Sequence, residues 1–258
     1  MTSNGKGLQG KKGVVLGIAN AHSIAYGCAK AFRALGAELA ISYLNEKARP
    51  YVEPLASELE APIFLPLDVQ DPTQMSDFFK AVAETWGNLD FALHSIAYAP
   101  KADLHGRVTD CSREGFLLAM DVSCHSFIRM VRLAEPLMKN GGTFFTMSYY
   151  GAEKVVKNYN MMGPVKAALE ATVRSMAAEL GPAGIRVHAI SPGPLKTRAA
   201  SGIAGFDDLM EKAAAEAPTR SLVSIEDVGF ATAGLATDNA RLITGGTIHV
   251  DGGLHIIG

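Results

Sequence analysis

Short apolar runs separated by helical stretches, repeated along all 258 residues, constrain this chain more than any other feature. Gly13-Val14-Val15-Leu16-Gly17 is such a run, ended by glycine, and an Ala-rich helical pattern from Ser23 to Leu35 follows it directly. Ala37 to Tyr43 predicts a second strand, Asn45 to Leu59 a second helix, and Ile63 to Leu67 a third strand closed by Asp68. The alternation continues with a helix over Met75 to Trp86, a strand over Phe91 to Ile96, a long helix over Arg113 to Met138 and a strand over Thr143 to Ser148. A helix carrying Tyr159 and Lys166, a strand over Arg186 to Ser191, a helix over Ile225 to Ala236 and a strand over Thr247 to Val250 complete it. Strands joined through helices imply right-handed crossovers and a parallel sheet covered on both faces. The expected fold class is therefore α/β, a doubly wound parallel sheet with helices on both faces.

A hydrophobic content of 48% in 258 residues suits one large core, and no repeat or linker divides the chain, so residues 1–258 read as a single domain. Residues 1–10 are polar and expected to be flexible, while 193–206, rich in Gly, Ala and Ser, reads as a loop over a pocket. The N-terminus has no apolar run followed by a cleavage site, and no apolar stretch approaches the roughly 20 residues that span a bilayer. A soluble, cytoplasmic protein is expected. The formal net charge of -2, with both signs scattered along the chain, argues against nucleic acid or a membrane surface as partner. Cys28, Cys111 and Cys124 have neither a paired framework nor ligand spacing, so they read as reduced packing thiols and no metal site is expected.

In a doubly wound sheet, ligands bind beyond the carboxyl ends of the strands at the switch point, which directs attention to the first strand-to-helix turn. Gly17 suits a tight turn, and Ile18, Ala19, Ser23 and Ile24 lead into a helix whose N-terminus favours a pyrophosphate. The run lacks G-x-G-x-x-G, so an ordinary connection with Ser23 as helix cap stays equally open. Asp68, followed by Val69, could accept a bond from an adenine amino group or cap the next helix, although Asp71 is the better-placed cap. Ser95-Ile96-Ala97 would permit close approach to a cofactor ribose, and His94 before it reads as a packed strand histidine. Glu38 has the separation of a ribose-binding acid but opens its strand, whereas the ribose would fall near Tyr43, Leu44 and Asn45. Lys47 and Arg49 keep a 2′-phosphate possible, so NADH and NADPH both stay open.

Two tyrosine and lysine pairs compete for the chemistry. If Tyr159 and Lys166 share a helix, their spacing turns through about 700°, within roughly 20° of one face, and Lys166 points back toward Tyr159. Tyr150 and Lys154 form the tighter Tyr-x-x-x-Lys, but Tyr150 follows a strand end so closely, with Gly151 next, that this pair is not expected in the long helix. Pro164 either kinks the helix or marks a start nearer Gly163. Tyr149, at the strand end, would face the same cleft.

Five motifs together are far more specific than any one. They are Gly17-x5-Ser23-Ile24-Ala25-Tyr26-Gly27, His94-Ser95-Ile96-Ala97-Tyr98-Ala99-Pro100, Ser148-Tyr149-Tyr150-Gly151-Ala152-Glu153, Asn158-Tyr159-Asn160-Met161-Met162-Gly163 and Ala199-Ala200-Ser201-Gly202-Ile203. With them, from Gly17 to Asp251-Gly252-Gly253, the chain resembles bacterial enoyl-acyl-carrier-protein reductases of the short-chain dehydrogenase type. It departs from them at Leu44, where members that prefer NADH often carry Gln, and at Pro164, where a smaller or aliphatic residue is usual.

The resemblance implies a Rossmann-type fold and, in fatty acid biosynthesis, hydride transfer from NADH or NADPH to a trans-2-enoyl thioester. It implies Tyr159 as hydrogen-bond donor to the thioester oxygen, Lys166 on the nicotinamide ribose hydroxyls and Tyr149 positioning the substrate. Leu195 and Thr197 would contact the nicotinamide end, and Ala99, Ala199, Ile203 and Phe206 the acyl chain. An acidic acyl carrier protein as partner and a homotetramer are implied as well. The alternatives are a 3-oxoacyl or other carbonyl reductase using Tyr150 and Lys154, and a non-catalytic dinucleotide-binding sensor.

Overall fold

The computed structural model describes residues 7–197 and 205–257. Its strands are β1 (Lys12–Leu16), β2 (Glu38–Tyr43), β3 (Ile63–Pro66), β4 (Phe91–His94), β5 (Gly142–Met147), β6 (Ile185–Pro192) and β7 (Thr247–Val250). All pair in parallel, in the order β3-β2-β1-β4-β5-β6-β7. The helices are α1 (Ile24–Ala34), α2 (Arg49–Glu58), α3 (Gln74–Trp86), α4 (Lys101–Leu104), α5 (Arg113–Met120), α6 (Ser126–Ala134), α7 (Met162–Leu180), α8 (Phe206–Glu216) and α9 (Ile225–Ala236).

The near-continuous apolar character of the strands has a simple cause: both faces of the sheet are covered. Val14, Leu16, Ala92 and Phe144 pack with Phe78, Phe127, Leu169 and Val173 of α3, α6 and α7. Their neighbours Val15, Phe91, Leu93 and Phe145 turn to the other face, against Phe32, Val52 and Val228 of α1, α2 and α9. The doubly wound sheet expected from the alternation is therefore the one observed.

Some boundaries differ from the expected ones. The long helix expected over Arg113 to Met138 is interrupted by a π turn at Asp121–His125, where Ser123 Oγ accepts from the Tyr98 amide at 2.9 Å and so ties the helix to the segment after β4. α2 starts at Arg49 rather than Asn45, because Asn45 Oδ1 accepts the Ala48 amide in a preceding turn. α8 was not expected, and Phe206, read as the end of a loop, is its first residue. Within the segment expected to be flexible, Leu8 is fully buried and its amide donates to Leu35 O at 2.9 Å.

Candidate active site

The strand order reverses between β1 and β4, which places their carboxyl ends side by side at the switch point. Leu16 pairs with His94, and the Ser95 amide donates to Leu16 O at 3.0 Å. Gly17 follows with φ of 104°, and a Cβ there would lie 2.1 Å from Ser95 O. Only glycine fits. Ser23 does not cap α1 through its side chain. Its Oγ instead accepts the Ala19 and Asn20 amides, each at 3.0 Å, and so shapes the turn ahead of the helix. Ile18 and Ser23 are buried, Ala19, Ile24, Ser95 and Ile96 half-buried, and Ala97 exposed.

The other expected cofactor residues sit at the same end of the sheet. Leu44 is exposed immediately after β2, and Asp68 and Val69 follow β3. Asp68 Oδ1 accepts the Gln70 amide at 2.9 Å, whereas Asp71 Oδ1 takes the Thr73 and Gln74 amides; the N-cap position of α3 is Thr73, and Asp71, two residues ahead of it, supplies the side chain that closes the turn into the helix. Buried Leu195 and half-buried Thr197 follow β6. Glu38 lies at the opposite end of β2, hydrogen-bonded by Lys12 Nζ. Buried His94 meets Ser126 Oγ through Nε2 at 2.7 Å and packs on Phe127, as a strand histidine should.

Tyr149 leaves the end of β5 and packs edge-on against Tyr159, ring centroids 4.9 Å apart at 67°. Its hydroxyl is buried and has no hydrogen-bond partner among the described residues. The expected placement of Tyr159 in a helix is corrected: α7 starts at Met162, and Tyr159 lies on the turn before it. Asn158 and Asn160 flank it at φ of 65° and 44°, left-handed conformations that asparagine tolerates and that a helix cannot contain. Asn160 Nδ2 donates to Leu104 O at 2.6 Å and anchors that turn. The helical repeat is thus not what relates Tyr159 to Lys166. Pro164 falls in the first turn of α7, where its missing amide costs nothing.

Lys166 is buried, and its Nζ donates to Met147 O, at the end of β5, at 2.6 Å. Burial pushes the ammonium down to about 8, opposed by the nearby Cys124 and Glu170. Burial raises both phenols above the ordinary tyrosine value, with the charge of Glu170 adding to the rise at Tyr159. Both therefore stay protonated, as hydrogen-bond donors, near neutral pH. Glu170, one turn after Lys166, escaped the sequence reading, although the Lys-to-Glu spacing of four is a visible sign of proximity on a helix.

Tyr150 and Lys154 do not form a comparable pair. Lys154 Nζ donates to Ile257 O at 2.8 Å, and both residues line a cavity of about 150 Å³ walled also by Leu209, Lys212 and Leu254, without Tyr159 or Lys166. Among the expected acyl-chain residues, Ala99 packs against the cluster that holds Tyr159, Met161 and Met162. Phe206 is half-buried at the start of α8, and Ala199 and Ile203 lie outside the described residues. Leu209 of α8, missed in the sequence, packs on the Tyr159 cluster. No group of three or more His, Cys, Asp or Glu among the described residues could hold a metal ion.

The family model described as "Enoyl-(Acyl carrier protein) reductase" matches residues 17–255. The chain belongs to this family. Among curated relatives, "Enoyl-[acyl-carrier-protein] reductase [NADH] 1" of Rhizobium meliloti is 45% identical, over 97% of this chain and 92% of its own. The crystal structure of enoyl-[acyl-carrier-protein] reductase (NADH) from Aquifex aeolicus superposes with a TM-score of 0.94 at 46% identity, covering 97% of this chain and 98% of the other. The family member from Anaplasma phagocytophilum, crystallised in complex with NAD, gives a TM-score of 0.93 at 45% identity, covering 99% and 95%. The match runs from the Gly17 turn, directly after β1, through β2 to β7 and into the segment after β7.

Proposed function

We propose that this chain is an enoyl-acyl-carrier-protein reductase that reduces the trans-2 double bond of enoyl thioesters with NADH. The observation that carries the reading is the convergence of Tyr149, Tyr159 and Lys166 on the end of β5, one strand removed from the Gly17 turn across β4, in a member of this family. A dinucleotide fits: the backbone of Gly17 meets that of Ser95 with no room for a side chain, and Ala97 is open to solvent beside it. Of the two cations that could meet a 2′-phosphate, Arg49 is paired with Glu53 at 3.1 Å and Glu46 at 3.7 Å, and Lys47 is exposed, so NADH is favoured chiefly by the relatives. The relatives' names carry NADH.

When bound, the nicotinamide supplies the hydride that the β-carbon of the enoyl group accepts. Negative charge then gathers on the thioester oxygen, and Tyr159, kept as a phenol by burial, donates a hydrogen bond to it. A preorganised donor of this kind is worth roughly 10²–10³ in rate. The unpartnered hydroxyl of Tyr149 is available to orient the thioester. Lys166, anchored on Met147 O, offers its remaining N–H groups to the ribose hydroxyls and adds positive potential beside the forming enolate. Gly17, Ile18, Ala19, Ser23 and Ile24 would hold the pyrophosphate, and Asp68 and Val69 the adenine. Leu44, Ser95, Ile96, Ala97, Leu195 and Thr197 would line the rest of the cofactor, with Ala99, Ala199, Ile203 and Phe206 along the acyl chain.

The partner is an acyl carrier protein bearing the substrate, and the working form a cytoplasmic homotetramer. Support for self-association comes from Phe116, Leu117 and Ile128, apolar side chains exposed on α5 and α6. No helix among the described residues is long and apolar enough to cross a membrane. The decisive assay follows NADH or NADPH oxidation with crotonyl thioester and with a 3-oxo thioester in parallel. Enoyl turnover with NADH is expected, and Tyr159→Phe and Lys166→Ala should each lower it by more than about tenfold. The reading fails if neither does, or if only the 3-oxo thioester is consumed.

A further inference from the structure

Glu170 is a carboxylate in a place where charge is unfavourable, only 5% exposed and beside the reacting groups. Its Oε1 accepts from Ser148 Oγ at 2.5 Å. Ser148 immediately precedes Tyr149, and its amide donates to Ile190 O at 2.7 Å. Lys166, four residues earlier on α7, holds the adjacent Met147 carbonyl. One face of α7 therefore grips two consecutive residues at the end of β5, one through a cation and one through an anion.

We propose that Glu170 is a positioning residue of the reaction: it holds Ser148, and with it the strand end from which Tyr149 departs, and it sets a carboxylate one helical turn from Lys166 on the same face of α7. This rests on the assignment of Lys166 to the cofactor side of the site. The groups acting on Lys166 come from several elements. Cys124, on the π turn, is a buried thiol pushed above its ordinary value and so uncharged near neutrality. His94, on β4, is held neutral by burial. Glu170 itself faces Tyr159, on the turn before α7, which stays a phenol, and His249, on β7, which burial holds below its ordinary value. Among these, Glu170 brings the negative charge that opposes the neutralising effect of burial on Lys166. A glutamine would still accept from Ser148 but would remove that charge.

The test is the pH dependence of kcat/KM with crotonyl thioester and NADH from about pH 6 to 10, together with NADH affinity by fluorescence titration, in the parent and in Glu170→Gln, Glu170→Asp and Ser148→Ala. Glu170→Gln should move the alkaline limb of both profiles down by about one pH unit while staying within roughly threefold of the parent at the acid end. Ser148→Ala keeps the carboxylate, so its limb should stay in place while kcat falls by about fivefold or more. Glu170→Asp, whose shorter arm keeps the charge but gives up the reach to Ser148, should behave like Ser148→Ala. An alkaline limb in Glu170→Gln coincident with the parent's overturns the proposal. If Glu170→Gln does not fold, a Glu170→Asp variant with undiminished kcat overturns it. A parent inactive on the enoyl thioester would instead overturn the functional reading, and the NADH titrations would still report on Lys166.

Discussion

A Cβ at Gly151 would lie 2.5 Å from Cδ1 and 2.9 Å from Cε1 of Tyr159, so the phenol ring rests directly on the backbone of the segment that follows β5. Tyr149 closes on the same ring from its edge. The position of the proposed oxyanion donor is thus set by packing against a strand end rather than by the helix after it. Gly151→Ala must push the ring aside, and a displacement near 1 Å can cost about 10²-fold in rate. Turnover of a crotonyl thioester is expected to fall by roughly 10- to 100-fold with NADH affinity near that of the parent. Steady-state kinetics beside a binding titration check this, and a kcat within about twofold of the parent's would show that the ring is held some other way.

At Gly17 the constraint is double, a φ of 104° and a Cβ position 2.1 Å from Ser95 O. Gly17→Ala is expected to destabilise the fold by roughly 1–3 kcal/mol and to abolish measurable NADH binding, since β1 and β4 must part to admit the methyl group. Gly87 is the natural control: its φ is 68° but nothing lies within 4 Å of a Cβ there. Gly87→Ala should cost only the backbone conformation, about 1 kcal/mol, and leave NADH binding intact. Thermal melts and fluorescence titrations of the two variants separate close approach from conformation, and equal effects on binding would refute the distinction.

The sheet was legible because hydrophobic periodicity is redundant: each strand repeats the same apolar run between helices, and no single boundary decides the topology. Ile225–Ala236 and Thr247–Val250 are observed with the limits read from the sequence. Tyr149 and Lys166 could be placed because one follows a strand and the other lies in an Ala-rich helix. The turn at Asn158-Tyr159-Asn160 was not legible, since two asparagines entering the left-handed region is a local choice that helical spacing cannot express. Only Gly163-Pro164 hinted at a later helix start. Glu170 went unread because a Lys-to-Glu spacing of four on a helix is ordinarily a solvent-facing pair, and burial of both is a tertiary fact. α8 was hidden behind a Gly- and Ala-rich segment, although Asp207 and Asp208 in its first turn are a helix-start signal.

Stability at mildly acid pH should be governed in part by His94 and His188, both fully buried and pushed down by burial, to about 3 and about 4. Unfolding frees them to titrate near 6.5, so below that pH the unfolded chain binds protons that the native state refuses. Stability therefore falls as pH drops from about 6.5 toward 4, by up to about 1.4 kcal/mol per pH unit for each histidine. Among the described residues His188 has no hydrogen-bond partner on either ring nitrogen, and it stacks on Phe145, so His188→Leu surrenders no hydrogen bond with them. Urea denaturation between about pH 5 and 7.5 should show a shallower pH slope for this variant, with stability at neutral pH equal to or above the parent's. A slope identical to the parent's would mean that His188 does not resist protonation in the native state.

Arg186, on β6, joins the sheet to the end of α9. Nη1 donates to Leu235 O at 2.6 Å and to Ala240 O at 3.0 Å, and Nη2 to Ala236 O and Thr237 O, each at 3.4 Å. These carbonyls belong to the last turn of α9 and the turn after it, where helix acceptors lack partners and a cation is favoured. A planar fork reaches them from two sides, which a single ammonium cannot do. Arg186→Lys is therefore expected to recover less than half of the stability lost in Arg186→Gln, itself roughly 2–4 kcal/mol below the parent. Because α9 packs against α1, the loss should also appear as faster amide exchange in α1, behind the Gly17 turn. Full stability in Arg186→Lys would show that charge alone, and not the geometry of the guanidinium, ties α9 to the sheet.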